Sequence, residues 1–180
     1  MSCDITLGRL EPCKDSVGGI IAIYISNYTS GLLNAPADGG ATFVDEEVTG
    51  FASPLTFYKY DLKGANSFEQ TNENSRDNGT SFWTQTGTIV LKKQDLATRK
   101  EMKLLSYGRP QIIVQDYNGN YYLAGIENGC EVAANTATGA TMGDLNGYNI
   151  TFTGTEKTPA NFVAFAAMVT SADIVVVSGV

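Results

Sequence analysis

Short runs of apolar and β-branched residues, separated by residues that favour turns, make up most of the chain. Ile20–Ser26 follows two glycines and is apolar at nearly every position, which is typical of a strand with both faces buried. Thr56–Leu62 alternates, with Tyr58 and Tyr60 on one face and Phe57 on the other, and this predicts a half-exposed strand. Further strands are predicted at Ser67–Asn74, Thr80–Lys92, Gln111–Gln115, Tyr121–Ile126, Cys130–Ala134, Tyr148–Thr153 and Ile174–Val177.

Two of the predicted turns contain Asn-Gly, a pair that accepts the positive φ angles of a tight hairpin. The first turn, SRDNG at residues 75–79, predicts a long hairpin over residues 66–82 whose polar tip reaches beyond the body of the protein. The second, YNGN at residues 117–120, predicts a short hairpin. By contrast, residues 27–50 contain several glycines and a proline, and they are predicted to form an extended loop, a feature that is often functional or ordered by a partner.

One helix is predicted, at residues 95–107. Asp95 is suited to the N-cap, the following residues are good helix formers, and Gly108 with Pro110 stops the helix. Its apolar stripe consists of Ala97, Met102, Leu104 and Leu105, and we expect this stripe to lie over a sheet face. Many short strands with one helix predict a mainly β fold, either a β-sandwich or a partly closed barrel with the helix packed against it. The length of 180 residues suits a single domain over residues 1–180.

The charge of the chain argues against a protein that grips nucleic acid. Twelve basic and nineteen acidic residues give a net charge of −7, whereas phosphate binding needs clustered Lys and Arg. Charged residues make up 17%, below the roughly 25% of a typical soluble domain. Few charges and many predicted strands suggest surfaces that are covered by neighbouring subunits.

No targeting or membrane-spanning signal is recognised in the sequence. The N-terminal residues lack a basic region followed by an apolar run, and Ile20–Ile25 is too short to cross a bilayer. The three cysteines, Cys3, Cys13 and Cys130, are an odd number without a C-x-x-C spacing, so we expect reduced thiols in a protein made in a cytoplasm.

The residues that usually carry catalysis are scarce. There is no histidine, which removes the commonest general base and metal ligand, and no spacing pairs two of the carboxylates Asp4, Asp45–Glu47, Asp144 and Glu156. We therefore expect no enzyme activity, cofactor or metal. Asp116, Asn118 and Asn120 resemble the start of a calcium loop, but the expected glycine and glutamate are missing, and a plain turn is favoured.

Aromatic residues cluster in the sequence near the only tryptophan. Trp83 and Phe82, with Phe57, Tyr58 and Tyr60, have the side chains of a platform that stacks on sugars or bases. Their spacing is that of alternate strand faces, so packing in a core is the favoured interpretation.

Several segments resemble structural proteins of tailed bacteriophages, including those of crAss-like phages that infect Bacteroidetes. The resemblance lies in KKQDLATRKEMKLLSYGRP (92–110), QIIVQDYNGNYYLAG (111–125), GDLNGYNITFTG (143–154), EKTPA (156–160) and the opening GRLEPCKDSVGGI (8–20). It covers about two thirds of the chain. It is also similar to tail-tube-like folds, in which a helix precedes a strand, an Asn-Gly hairpin and a further strand.

This resemblance implies a non-enzymatic virion protein whose copies pack side by side into a ring of the tail or the head–tail connector. Stacked rings would form a conduit through which DNA passes as cargo, and neighbouring virion proteins would be the other partners. A capsid decoration protein is the alternative in the same class, and a receptor- or carbohydrate-binding module is the alternative in another. The candidate assembly residues are the hairpin tip, Arg76, Asp77, Asn78 and Gly79, and the acidic run Asp45, Glu46 and Glu47.

Overall fold

The computed structural model describes residues 7–11 and 13–179 and contains two β-sheets that share a core. The mainly β prediction is confirmed, and of its two forms the sandwich is the one observed, because neither sheet closes into a barrel. The described strands are, in chain order, β1 (Ile20–Ser26), β2 (Ala41–Val44), β3 (Glu47–Phe51), β4 (Leu55–Asp61), β5 (Ser67–Ser75), β6 (Thr80–Lys92), β7 (Gln111–Asp116), β8 (Tyr121–Ala124), β9 (Cys130–Ala137), β10 (Gly147–Glu156), β11 (Asn161–Val163) and β12 (Ile174–Ser178). The described α-helices are α1 (Leu96–Leu105) and α2 (Phe165–Thr170).

The larger sheet has eight strands in the order β12-β4-β1-β7-β8-β11-β3-β2. β1 lies inside this sheet and pairs antiparallel with β4 and β7. Its two faces contribute to different cores: Ile23 and Ile25 lie between the sheets, whereas Ala22 and Tyr24 lie on the other side. The prediction of a strand buried on both faces is therefore confirmed.

The smaller sheet has the order β5-β6-β10-β9 and covers part of one face of the larger sheet. Ile89 of β6 and Phe152 of β10 pack in the core between the sheets. The β5–β6 hairpin forms as predicted, and so does the short β7–β8 hairpin, where Gly119 has a φ of +86°.

The other face of the larger sheet is covered by α2 and by residues 27–40, and the sheet curves around this second core, since the ring centroids of Phe51 on β3 and Phe57 on β4 lie 6.4 Å apart. The predicted extended loop at 27–50 is wrong in part, because this segment contains a 3₁₀ turn at Pro36–Asp38 followed by β2 and β3. Leu32, Ala41 and Val48 are buried in the core beneath it. These separated apolar side chains anchor the segment, although its glycines and proline suggested a loop.

The helix prediction is confirmed at its start and corrected along its apolar stripe. Asp95 caps α1, since its side chain accepts a hydrogen bond of 2.7 Å from the amide N of Thr98. Met102 is buried and Leu105 is half-buried, but Ala97 and Leu104 are exposed. The helix lies at the margin of the sandwich, where one side borders an open cleft, and so only part of the stripe is covered.

Two short elements near the end of the chain were not predicted from the sequence. β11 has three residues, and α2 has six residues with Ala164 at its N-cap and no side-chain capping bond. Among the described residues, no helix is both long and apolar enough to cross a membrane.

Candidate assembly surfaces

The tip of the β5–β6 hairpin projects beyond the smaller sheet. β10 accompanies β6 only as far as the pair Glu156 and Trp83, so the residues from Thr80 to Phe82 pair with β5 alone. All four candidate tip residues, Arg76, Asp77, Asn78 and Gly79, are exposed. Gly79 has the positive φ of +62° that the turn requires, and the amide N of Asn78 donates to Ser75 Oγ. The tip is thus a well-formed turn without contacts to the core.

The acidic run forms the tight connection between β2 and β3 rather than part of a loop: Asp45 and Glu46 are the two-residue turn, and Glu47 begins β3. Asp45 and Glu46 have φ values of +48° and +67°, and Val44 pairs with Glu47 across the turn. Asp45, Glu46 and Glu47 are all exposed. Three adjacent carboxylates therefore project from the β2 edge of the larger sheet.

Hydrogen bonds link this acidic turn to the base of the projecting hairpin. Asn161 Nδ2 of β11 donates to the carbonyl O of Glu46 at 3.0 Å. The neighbouring amide N of Ala160 donates to Gln70 Oε1 of β5 at 2.7 Å. The acidic turn is therefore connected through β11 to the middle of β5, the strand that leads to the tip, which the sequence did not reveal. We call the exposed carboxylates of the turn and of β5 the acidic edge: Asp45, Glu46, Glu47, Glu69 and Glu73.

A row of aromatic rings runs from the core to the acidic edge. Phe152 and Phe68 stack with their ring centroids 6.0 Å apart, Phe68 lies 6.2 Å from Tyr122, and Tyr122 lies 4.9 Å from Phe162. Phe162 is 50% exposed. The acidic edge therefore includes one large apolar side chain that is available to a partner.

The opposite edge of the larger sheet has a different chemistry. At β12, the exposed side chains of Val175 and Val177 lie in register with Thr56 and Tyr58 of β4. Tyr58 and Leu104 of α1 then line a cleft of about 380 Å³ between the sheet and the helix. We call this region the apolar cleft; the strand edge beside it has no charged residue.

One basic residue, Arg109, lines the apolar cleft, and three more lie on α1 outside the lining of the cleft. Arg99, Lys100 and Lys103 lie on α1, Arg109 follows the helix, and all four are exposed. Arg109 also lies over the ring of Tyr28, 5.0 Å from its centroid. We call these four side chains the basic edge. The acidic edge thus belongs to the β2–β3 turn and β5, whereas the basic edge lies on α1 and directly after it.

The carboxylates considered as catalytic candidates are dispersed in the structure. Glu156 is buried and accepts hydrogen bonds from the amide N atoms of Glu127 and Asn128 at 3.2 and 2.8 Å. Burial raises the pKa of Glu156, which these hydrogen bonds only partly oppose. The exposed Asp144 accepts from the amide N atoms of Ala140 and Thr141 and has a lowered pKa. Both carboxylates organise loops, and Asp4 lies outside the described residues.

The residues compared with a calcium loop form a hydrogen-bonded turn. Asp116 Oδ1 accepts from the amide N atoms of Asn118 and Asn120 at 2.9 and 2.7 Å. Burial raises the pKa of Asp116, but hydrogen bonds from the side chains and backbone of these two residues outweigh it and lower the pKa overall. Within residues 7–11 and 13–179, no group of three or more Cys, Asp or Glu side chains has the arrangement of a metal site.

The aromatic residues near Trp83 do not form one platform. Phe57 is buried in the core beneath α2, whereas Tyr58 and Tyr60 line the apolar cleft. Trp83 and Phe82 are half-buried in the other sheet.

Cys130 is buried, and burial together with Glu156 raises its pKa to about 12. Cys13 is exposed, and Cys3 lies outside the described residues.

No protein-family model, curated protein or solved structure matches this chain. The bacteriophage resemblance therefore rests on the sequence segments alone.

Proposed function

We propose that this chain is a non-enzymatic structural subunit that associates with copies of itself into a ring or tube, as a tail or head–tail connector component of a tailed bacteriophage. In this proposal the protein is made in the bacterial cytoplasm and resides in the virion. Its partners are its own copies and the adjoining virion proteins, and DNA passes as cargo.

The observation that carries the proposal is the pair of dissimilar edges on one subunit. β2 and β12 are the outer strands of the larger sheet; the acidic turn follows β2, whereas β12 has no charged residue. Because the two edges differ, the contact between copies is head-to-tail, and such a contact generates a ring when the rotation closes.

Charge and strand pairing favour the same contact. The acidic edge of one copy faces the basic edge of the next, so opposite charges attract and like charges are kept apart. The outer strands carry unpaired backbone groups, which a neighbouring strand can satisfy. Val44 of β2 is 56% exposed, and Val175 and Val177 of β12 are also exposed, so apolar surface is covered on both sides.

Electron microscopy of negatively stained protein over a range of concentrations tests the proposal. We expect rings or tubes at high concentration that dissociate on dilution and at high ionic strength, because salt screens the edge charges. A protein that stays monomeric at all concentrations would contradict self-association. Monomers that bind only to preformed capsids would support the decoration alternative instead.

A further inference from the structure

The described residues before β1, 7–11 and 13–19, form an arm that leaves the sandwich, and its two leucines are uncovered. Leu7 is 86% exposed and Leu10 is 92% exposed. The arm is fixed at its root, where Asn118 pairs with the backbone of Val17 through bonds of 2.9 and 2.8 Å. Among the described arm residues before Val17, the backbone hydrogen bond is the one from Asp15 N to Cys13 O, within the arm itself.

We infer that Leu7 and Leu10 of this arm dock in the apolar cleft of a second copy, joining one ring to the next. This inference rests on the proposed self-association and adds a second contact to it. The edge contacts join copies side by side within a ring, whereas the arm joins copies that are stacked along the strand direction.

The positions of the arm root and the cleft favour a contact between stacked copies. The arm leaves beside Gly19, at the start of β1, where the β7–β8 turn lies. The cleft lies at the other end of β1, where Ile25 and Ser26 line it. When copies stack end to end, the arm of one copy therefore lies next to the cleft of the following copy.

The chemistry of the arm matches that of the cleft. In the extended polyproline II conformation, which has three residues per turn, two leucines three positions apart lie on the same side of the segment. The cleft offers Tyr58 and Leu104 as apolar contacts, with Leu104 54% exposed. Its rim carries Glu101 and Arg109, which complement the charges of the arm.

The charged residues beside the two leucines are Arg9 and Glu11, and both are exposed. Opposite charges on the arm and on the cleft rim fix the direction of docking. Leu10 lies nine positions before Gly19, a span of up to roughly 30 Å when extended. That reach is enough to enter a neighbouring copy.

Chemical crosslinking between two differently tagged full-length proteins tests the inference. Both carry Cys3→Ser and Cys13→Ser, one carries Leu10→Cys, and the other carries Leu104→Cys. A short bis-maleimide should join the two proteins when they are mixed at assembly concentrations. Pairing Met142→Cys with Leu104→Cys is the control, since Met142 is equally exposed but lies on the β9–β10 connection.

A second variant separates this inference from the proposed function. Leu7→Ser with Leu10→Ser should leave single rings intact but reduce stacking by about tenfold or more, because both anchoring side chains are lost. Met142→Ser should stack normally. Rings that stack equally well without the two leucines, or crosslinking of the two tagged proteins no greater than in the Met142 control, would overturn the arm contact while leaving ring formation standing. A crosslink between copies without any ring would instead contradict the proposed function alone.

Discussion

Gly87 on β6 lies directly against the ring of Phe152 on β10, so that a methyl group at Gly87 would approach the ring to 2.2 Å. Phe68 on β5 is the other register partner of Gly87, and its ring stacks with that of Phe152. The two rings meet over the space that glycine leaves. This contact starts the aromatic row that ends at the acidic edge.

Gly87→Ala should destabilise the protein, because the added methyl group forces the buried ring of Phe152 to move. Overpacking of this kind costs about 1–3 kcal/mol. Thermal unfolding should show a melting temperature several degrees lower. Gly143→Ala is the matched control, since a methyl group there meets no atom within 4 Å. Equal melting temperatures for the two variants would show that the ring contact is not tight.

The loss of stability when a side chain of α1 is replaced by alanine should follow its burial in the structure rather than its membership of the apolar stripe predicted from the sequence. Met102→Ala should lower the free energy of unfolding by about 2–5 kcal/mol, because this side chain is buried in the core between the sheets. Leu104→Ala should cost less than about 0.5 kcal/mol, because Leu104 is exposed. Leu105→Ala should lie between them. Urea unfolding of the monomers measures all three, and equal losses would contradict the position of the helix.

Glu156 should make stability depend on pH. Its pKa is raised above the ordinary value of 4.5, so its ionised form is less favourable in the folded protein than in the unfolded chain. Its contribution to the free energy of unfolding is full below pH 4.5 and decreases as pH rises through the folded-state pKa.

Glu156→Gln keeps a carbonyl oxygen for the amide N atoms of Glu127 and Asn128 but does not titrate. The wild type should therefore lose stability relative to this variant as pH rises above about 4.5. Urea unfolding at several pH values measures the difference, with the exposed Glu131→Gln as control. Parallel stability curves for wild type and Glu156→Gln would contradict the raised pKa.

The hairpin tip should be dispensable for folding and needed for assembly. Replacing residues 74–81 with Asn-Gly joins Glu73 to Phe82, which are paired in the hairpin, through a two-residue turn. The variant should keep the melting temperature of the monomer, because the removed residues have no partner in β10. This variant should form rings only at a higher protein concentration than the wild type.

Limited proteolysis provides an independent check on the tip. Trypsin should cleave after Arg76 in dilute monomers, because the turn is exposed, and should cleave more slowly in rings. A tip that resists cleavage in the monomer, or a shortened variant that assembles as well as the wild type, would show that the tip is not part of the contact between copies.

Local sequence signals predicted those elements whose turns and caps are chemically distinctive. Asn118-Gly119 marked the β7–β8 hairpin, and Asp95 marked the start of α1. β2 and β3 were missed because their turn uses Asp45 and Glu46 at positive φ, where glycine or asparagine is more usual. Such a turn is stabilised by the strands on either side rather than by its own residues.

The candidate assembly residues were predicted from exposure, but their arrangement was not. The bonds from Asn161 to Glu46 and from Ala160 to Gln70 join segments that are far apart in the sequence. The apolar cleft was missed because Tyr58 and Leu104 belong to elements whose apolar residues suggested a core. Only the unequal number of strands in the two sheets leaves that face uncovered.

Exchanging the charges of the two edges tests head-to-tail association most directly. One variant carries Arg99→Glu, Lys100→Glu and Lys103→Glu, so its basic edge becomes net acidic and both of its edges are acidic. The other carries Asp45→Lys, Glu46→Lys and Glu47→Lys, so its acidic edge becomes net basic and both of its edges are basic. All six side chains are exposed, and each monomer should remain folded, as circular dichroism would show.

Each variant alone should fail to form rings at a concentration where the wild type assembles, because like charges meet at every contact. A mixture of equal amounts should assemble again, since every edge of one variant then faces an oppositely charged edge of the other. Light scattering and electron microscopy of the two variants, separately and mixed, measure this. Rings from either variant alone, or no association in the mixture of two folded variants, would contradict the contact between the acidic and basic edges.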